Sequence, residues 1–246
     1  MRKVALVTGA TSGIGRVIAE ELHKEGFAVA LSGRSTERGA AAAAELGEGA
    51  EFFAADLTAP GAARALAATV AQKMGRLDVL VNNAAIDHTG DLLEVGEGEI
   101  RDTLATNTAA PMNLLIAAAR HMRAEGGSII NVTSRLASIG VPTMGIYSAS
   151  KGAMLAFTRA AAVDLARYNI RVNAVAPGMT RTPLYEEWLA GLPDPEAEAR
   201  RVVEAIPMGR LAEPHDVAAV VTFLASPQAA YLTGASIPVE GGYLAT

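Results

Sequence analysis

The order of apolar and polar segments predicts an α/β fold: a doubly wound parallel sheet in three layers, α/β/α, built as one domain over residues 1–246. Three observations predict it. Short apolar, strand-like runs alternate with helix-length segments, and repeated strand–helix units imply parallel strands joined by right-handed crossovers. The composition suits helices packed closely on a parallel sheet, since half of the residues are hydrophobic, only 4% are aromatic, and alanine and valine abound. No linker, internal repeat or low-complexity tail marks a second domain.

Val4-Ala5-Leu6-Val7 reads as a strand, Gly9-Ala10-Thr11-Ser12-Gly13-Ile14-Gly15 as a turn, and Arg16 to Leu22 as a helix. A strand, a glycine turn and a helix N-terminus make an anion site, because free backbone N–H groups and the helix dipole face the same point. The spacing G-x-x-x-G-x-G differs from the G-x-G-x-x-G dinucleotide fingerprint, and a glycine turn without a ligand is the alternative. The second strand, Phe27 to Leu31, ends at Ser32-Gly33-Arg34-Ser35-Thr36. In a dinucleotide fold this end meets the adenosine ribose, where an acid accepts from the 2′-hydroxyl and an arginine accommodates a 2′-phosphate. No acid occurs here, so Arg34 and the hydroxyls of Ser35 and Thr36 point to a phosphate, against the alternative of a solvated arginine.

A helix from Ala40 to Leu46, a strand at Glu51 to Ala54, a helix from Gly61 to Met74 and a strand at Leu77 to Val81 continue the alternation. Asp56 after the third strand and Asn82-Asn83-Ala84-Ala85 after the fourth sit where ligands of parallel sheets collect, although each equally suits a turn. One helix runs through Asn107 and Arg120, and a strand at Ser128 to Val132 ends in Thr133-Ser134. The next helix, Ile146 to Tyr168, puts Tyr147 and Lys151 on one face, where a cation favours the phenolate and draws the phenol toward a working pKa. The same spacing arises by chance as a surface pair. The sixth strand, Ile170 to Val175, ends in Pro177-Gly178-Met179-Thr180-Arg181-Thr182. The alternation lapses over about 183–209, which reads as a substrate lid, and resumes with a helix at Asp216 to Leu224 and a strand at Ser236 to Val239.

A net charge of −5 argues against a nucleic-acid footprint. Without cysteine there are no thiolate metal sites, and His23, His88, His121 and His215 lack ligand spacing, so no metal is expected. The apolar run after Met1-Arg2-Lys3 breaks at Gly9, too early for a signal core, and the charge-free stretch Thr103 to Ala119 contains Asn107, Pro111 and Asn113. The expectation is a cytoplasmic protein with neither nucleic-acid nor membrane partners.

Thr8-Gly9-x-x-x-Gly13-Ile14-Gly15, Asn83-Ala84-Ala85, Asn107, Ser134, Tyr147-x-x-x-Lys151 and Pro177-Gly178 with Thr182 occur in one order and spacing, and in these the chain resembles the short-chain dehydrogenase/reductase family over essentially its whole length. Ala85 stands where the family turn has glycine, and Ser12 where many NADP-preferring members carry a base. The resemblance implies a Rossmann-type sheet of seven parallel strands, a nicotinamide cofactor, and interconversion of a secondary alcohol and a ketone. It implies that Tyr147 is the acid/base, that Lys151 holds the nicotinamide ribose and lowers the tyrosine pKa, that Ser134 hydrogen-bonds the substrate oxygen, and that Asn107 positions a proton-relaying water. The implied cofactor set takes Gly9, Thr11, Ser12, Gly13 and Ile14 from the glycine turn. Arg34, Asp56, Leu57, Asn83 and Ala84 follow the next strands, and Pro177, Gly178 and Thr182 join Tyr147 and Lys151 at the other end. Arg34 favours NADP, with NAD as the alternative.

The substrate pocket takes Leu136 and Met144 from the segment between Ser134 and Tyr147, and Met179, Leu184 and Trp188 from the strand end and lid. Its apolar character favours a neutral carbonyl compound or alcohol with hydrophobic bulk, with His88, Arg135 and Arg181 as polar handles; Trp188 merely packing the lid is the alternative. Similar sequences include sugar dehydrogenases and 3-oxoacyl-carrier-protein reductases, although Glu125 and Tyr168 occupy positions where the latter place bases. A dinucleotide-binding sensor without turnover is the alternative of another class, and the complete Asn107, Ser134, Tyr147, Lys151 set speaks against it. The family habit implies a homotetramer, with Ala117-Ala118-Ala119 and Ala160-Ala161-Ala162 either at a contact or in the core.

Overall fold

Strand β1 (Val4–Thr8) is apolar on both sides of its pleat: Val4 and Leu6 enter one core cluster, Ala5 and Val7 the other, and all four are buried. A strand of this kind needs helices above and below it. The structure, a computed structural model describing residues 2–245, provides them. After β1 come α1 (Gly13–Lys24), β2 (Ala28–Gly33), α2 (Thr36–Leu46), β3 (Ala50–Ala54), α3 (Ala62–Met74) and β4 (Val79–Asn82). The second half runs α4 (Glu97–Leu104), α5 (Ala110–Met122), β5 (Gly127–Val132), α6 (Gly145–Ala166), β6 (Ile170–Pro177), α7 (Pro183–Ala190), α8 (Pro195–Glu204), α9 (Pro214–Ala225) and β7 (Ser236–Val239). The seven strands pair in parallel in the order β3-β2-β1-β4-β5-β6-β7. Helices α3, α5 and α6 cover the Leu6, Leu80 and Ile129 face, and α1, α2 and α9 the Val7, Val81 and Ile130 face. The alternating side chains of each strand thus bury two apolar layers at once, and at roughly 25 cal/mol per Å² this burial is the main stabilising term.

The single helix expected through Asn107 and Arg120 is instead three pieces, and proline is the reason. In an α-helix the N–H of residue 111 would bond the carbonyl of residue 107, but Pro111 has no N–H. The chain widens into a π turn at Ala105–Ala109, with Ala110 N–H reaching the Ala105 carbonyl. The Asn107 carbonyl is released from the α-helical ladder. Helix α2 begins at Thr36 rather than Ala40 because the Ser35 hydroxyl accepts from the Arg38 N–H at 3.3 Å, capping it.

Within 183–209, α7 and α8 pack on Tyr185, Ile206 and Leu211, with Trp188 and Val202 against them. The alanine triplets are mostly internal: Ala117, Ala118, Ala119, Ala161 and Ala162 are buried and only Ala160 is exposed. Among the described residues no helix is long and apolar enough to cross a membrane, and no group of three acidic or histidine side chains is placed to hold a metal ion.

Candidate active site

Strand order reverses between β1 and β4, so the loops leaving their C-terminal ends part and open a crevice. A cleft of about 1350 Å³ occupies it. That exceeds the roughly 300–1,000 Å³ of an ordinary small-molecule pocket and suits a dinucleotide together with a substrate.

At one end the glycine turn leads into α1. Gly9 has φ +64°, and a Cβ there would lie 3.0 Å from the Ala84 backbone, so only glycine lets the turn lie against the β4 end. The two strand ends are stitched together beneath it. The Thr8 hydroxyl accepts from the N–H groups of Asn83 and Ala84 at 3.0 and 3.1 Å, while Asn83 Nδ2 donates to the Thr8 carbonyl at 3.0 Å. Asn83 therefore acts first as a brace for the turn, a role shared with Thr8. Ser12 precedes the helix without a side-chain cap, and the first turn of α1 carries no acid, which leaves its N–H groups and positive dipole end to an anion. A Cβ on Gly15 would run into Asn83 Nδ2 and the Gly9 carbonyl. Gly15→Ala is expected to lower stability by about 1–3 kcal/mol through overpacking and to weaken dinucleotide binding. Urea unfolding with a binding titration checks both, and an unchanged midpoint would contradict this account of the turn.

At the end of the cleft beyond β2 and β3, Arg34, Ser35, Arg38, Asp56 and Leu57 line it. Arg38 escaped the sequence reading, though helical spacing from Arg34 across the start of α2 places both guanidinium groups at the same cleft end. Neither is held in an ion pair among the described residues; Asp56 lies in Coulombic range of Arg34. The Asp56 carboxylate accepts from the Thr58 hydroxyl at 2.6 Å and the Thr58 N–H at 3.0 Å, which hold its pKa below the usual carboxylate range. Ser35 caps α2 by accepting the Arg38 N–H and keeps its own proton to donate into the cleft, whereas Thr36 lies outside the lining, so the phosphate reading keeps Arg34 and Ser35 and loses only the Thr36 hydroxyl.

The reactive end gathers Ser134, Tyr147 and Lys151 on one wall. Ser134 lies two residues beyond β5 in extended backbone and accepts from the Leu136 N–H at 3.1 Å, which leaves its own proton to donate. Tyr147 lies in the first turn of α6 within hydrogen-bonding reach of Ser134, and Lys151 follows one turn later with Nζ donating to the Val132 carbonyl at 3.0 Å. Burial, then the negative charge of Asp87, push the Tyr147 phenol well above its usual range, with the Ser134 hydrogen bond acting the other way. The expected lowering by Lys151 is not found. Its ammonium stands 5.5 Å from the centre of the tyrosine ring and is anchored on a backbone carbonyl, so desolvation prevails. Asn107 is buried outside the cleft lining: Oδ1 accepts from Ile86 N–H and Nδ2 donates to the Ile86 carbonyl, both at 2.8 Å, and Nδ2 also donates to Ser150 Oγ at 3.2 Å. Its side chain clamps the loop after β4 to α6 and has no spare donor.

Burial lowers Lys151 from 10.5 to about 8. The folded chain then binds fewer protons than the unfolded one between those values, so stability rises with pH across that window. Below about pH 8 the buried charge costs about 3 kcal/mol. Losing the charge-assisted donor to Val132 returns about 1.5–3 kcal/mol of that. Lys151→Met should therefore be as stable as wild type or up to about 1.5 kcal/mol more stable at neutral pH, and less stable than wild type above pH 10.5. Urea midpoints at both pH values check it, and a variant less stable at neutral pH would contradict it.

Of the residues expected to meet substrate, Leu136, Met144, Met179, Leu184 and Trp188 all line the cleft, Leu184 with more than half of its surface exposed. Trp188 also packs on Tyr185, ring centres 5.7 Å apart, so it joins the apolar cluster of the 183–209 segment and faces the cleft as well. Of the polar handles, Arg135 lines the cleft and stacks 3.8 Å over the Tyr243 ring. Arg181 lies outside the lining, paired with Glu213 at 3.1 Å, and His88 points Nδ1 at Glu99 from 3.7 Å. Asp87, also in the lining, was missed. Its place three residues after Ala84, beyond a strand end, was the available signal.

A family model described as Enoyl-(Acyl carrier protein) reductase matches residues 9–244. The chain is 37% identical over 241 residues to an L-fucose dehydrogenase of Bos taurus, covering 98% of this chain and 88% of that one. It is also 37% identical over 242 residues to a 3-oxoacyl-[acyl-carrier-protein] reductase of Vibrio harveyi, covering 98% and 96%. A structure described as that of a short-chain alcohol dehydrogenase of Sinorhizobium meliloti superposes with a TM-score of 0.92 at 38% identity, over 99% of this chain and 97% of that one. Equal identity to a sugar-acting and an acyl-acting protein leaves the substrate to the residues of the cleft. The family model and these whole-length likenesses carry the common part: the chain belongs to the short-chain dehydrogenase/reductase family, oxidoreductases that act on CH–OH groups with NAD(P).

Proposed function

We propose that this chain interconverts a secondary alcohol and a ketone with Tyr147 as the acid/base and NADP(H) preferred over NAD(H). The observation that carries the reading is the convergence of Ser134, Tyr147 and Lys151 on one wall of a cleft whose far end holds two arginines with no ion-pair partner among the described residues. The cofactor fits the residues present. The open N-terminus of α1 suits a pyrophosphate, Arg34 and Arg38 a 2′-phosphate, and Thr182, at the start of α7 with its methyl against the Gly13 position, the carboxamide end. When bound, the nicotinamide supplies or takes the hydride. The chain's own residues manage the oxygen. A phenol held above its usual pKa is protonated at neutral pH, so Tyr147 is set to donate to a carbonyl oxygen as negative charge develops there. Ser134 offers a second donor to that oxygen, and the buried Lys151 ammonium holds the ribose hydroxyls and lends positive charge. Proton return to Lys151 falls to a water on the Asn107 main-chain carbonyl, which Pro111 releases, rather than to the Asn107 side chain.

Residues 183–209 act as the lid, closing apolar side chains over the substrate and excluding water. A neutral substrate with hydrophobic bulk follows from Leu136, Met144, Met179 and Trp188. The carrier-protein reading draws on the guanidinium groups of Arg123 and Arg167, each 4.8 Å from the Tyr168 ring centre, but these lie at the opposite end of α6 from Tyr147. A homotetramer is supported by exposed apolar side chains away from the cleft, Ile116 and Val163 on α5 and α6 and Phe223 and Tyr231 near β7, and sedimentation at micromolar concentration tests it. The function itself is tested by steady-state assays of cyclic ketones, aldoses and 3-oxo acids with both cofactors. The reading predicts that a cyclic ketone with NADPH has the highest kcat/KM, and an aldose or 3-oxo acid ahead by tenfold would reject the apolar pocket.

A further inference from the structure

We infer that Asp87 selects substrates carrying a hydroxyl beside the reacting carbon, an inference that rests on the oxidoreductase reading above. The loop bearing Asp87 is pinned on both sides. Ile86 is held by two 2.8 Å hydrogen bonds to Asn107, and the Gly90 N–H donates to the Thr143 carbonyl at 3.1 Å. Both anchors belong to the framework of the reactive end: Asn107 is tied to α6 through Ser150, and Thr143 lies just before that helix. Asp87 therefore lines the cleft at a fixed place, close enough to Tyr147 and Lys151 to act electrostatically on both.

A carboxylate so placed has acceptor capacity to spare. Only the backbone N–H of His88 serves it, no side chain among the described residues donates to it, and the Lys151 ammonium is committed to the Val132 carbonyl rather than paired with it. The surrounding protein already disfavours its charge, raising its pKa through burial, so a donor brought by the substrate gains more here than in water. A neutral hydroxyl is the fitting donor. Lys151 and Arg135 already place two cations in the same cleft, which works against a substrate ammonium, and Asp87 itself repels a carboxylate. The apolar side chains Leu136, Met144 and Trp188 ask for carbon skeleton elsewhere on the molecule. The substrate class is then an α-hydroxy ketone or vicinal diol with an apolar remainder, rather than a plain ketone or a 3-oxo acid.

The test compares cyclohexanone with adipoin, its α-hydroxy counterpart, as the ratio of their kcat/KM values in wild type, Asp87→Asn and Asp87→Ala at one pH. A hydrogen bond to a charged acceptor predicts a wild-type ratio of about tenfold or more, falling to within about threefold of unity in Asp87→Ala, with Asp87→Asn between. The ratio cancels any change in Tyr147, in folding or in cofactor affinity, because those affect both ketones alike. Calorimetric titration of vicinal cyclohexanediol and of cyclohexanol into the enzyme with NADPH reads the same preference without turnover. A wild-type ratio near one, or a ratio that survives in Asp87→Ala, overturns the inference. If neither ketone is reduced, the oxidoreductase reading fails, and the calorimetric ratio still decides whether Asp87 recognises a hydroxyl.

Discussion

Tyr147→Phe is expected to lower kcat at least about a hundredfold while dinucleotide affinity stays within about twofold of wild type. Positioned acid–base catalysis is worth roughly a hundred- to ten-thousandfold, and phenylalanine removes the proton-carrying atom while keeping the ring that packs beside Ser134 and under the Lys151 ammonium. The split between the two readouts follows from the layout of the cleft. In the proposed layout the phosphates would meet the α1 N-terminus and the arginine pair, at the other end of the cleft from the phenol. A fall in kcat/KM caused by misfolding would appear in both readouts. Fluorescence titration with NADPH beside steady-state kinetics separates them, and a variant keeping more than about a hundredth of wild-type kcat would remove Tyr147 from its role.

Arg34→Ala should weaken NADP(H) by roughly ten- to hundredfold and NAD(H) far less. Charge-assisted hydrogen bonds contribute about 1.5–3 kcal/mol each, which converts to that range. Arg34 is solvent-exposed and has Asp56 in range, so the loss should shrink at high salt, where exposed charges are screened. Arg38 shares the same end of the cleft, and the double variant should lose more than either single one. Dissociation constants for both dinucleotides at two salt concentrations check this. Equal affinity for NAD and NADP in the wild type, or an equal loss in the variant, would reject the 2′-phosphate pocket.

Much of the architecture was legible because it rests on local chemistry. Strands such as Val4–Thr8, apolar on both faces, and Gly127–Val132, with Ile129 and Ile130 on opposite faces, read directly as buried strands, and the final strand matches the observed Ser236–Val239. The cleft residues were legible where a strand end carries them, as with Arg34, Asn83, Ser134 and Thr182. What escaped depends on how elements meet. The π turn at Asn107 follows from Pro111, whose missing donor shows only when hydrogen bonds are counted backwards from it. Arg38 joins Arg34 only once Ser35 starts α2 early enough to place both at one cleft end. Asp87 is brought within electrostatic range of Tyr147 by the clamp Asn107 puts on Ile86, a contact between residues 21 apart in sequence. The pKa of Tyr147 was misjudged for the same reason: spacing along a helix shows the neighbouring cation, but not the desolvation that outweighs it.

Hydride transfer itself is measured most directly with NADPH deuterated at its transferable hydrogen. The enzyme is mixed with labelled NADPH and a panel of cyclic ketones that includes adipoin, and the alcohol formed is analysed by mass spectrometry and NMR. The account predicts one deuterium at the carbinol carbon for each NADPH consumed, and at most about a hundredth as much labelled alcohol in the Tyr147→Phe reaction over the same time. Tight NADPH binding with no label in any product would contradict it and leave a dinucleotide-binding protein without turnover.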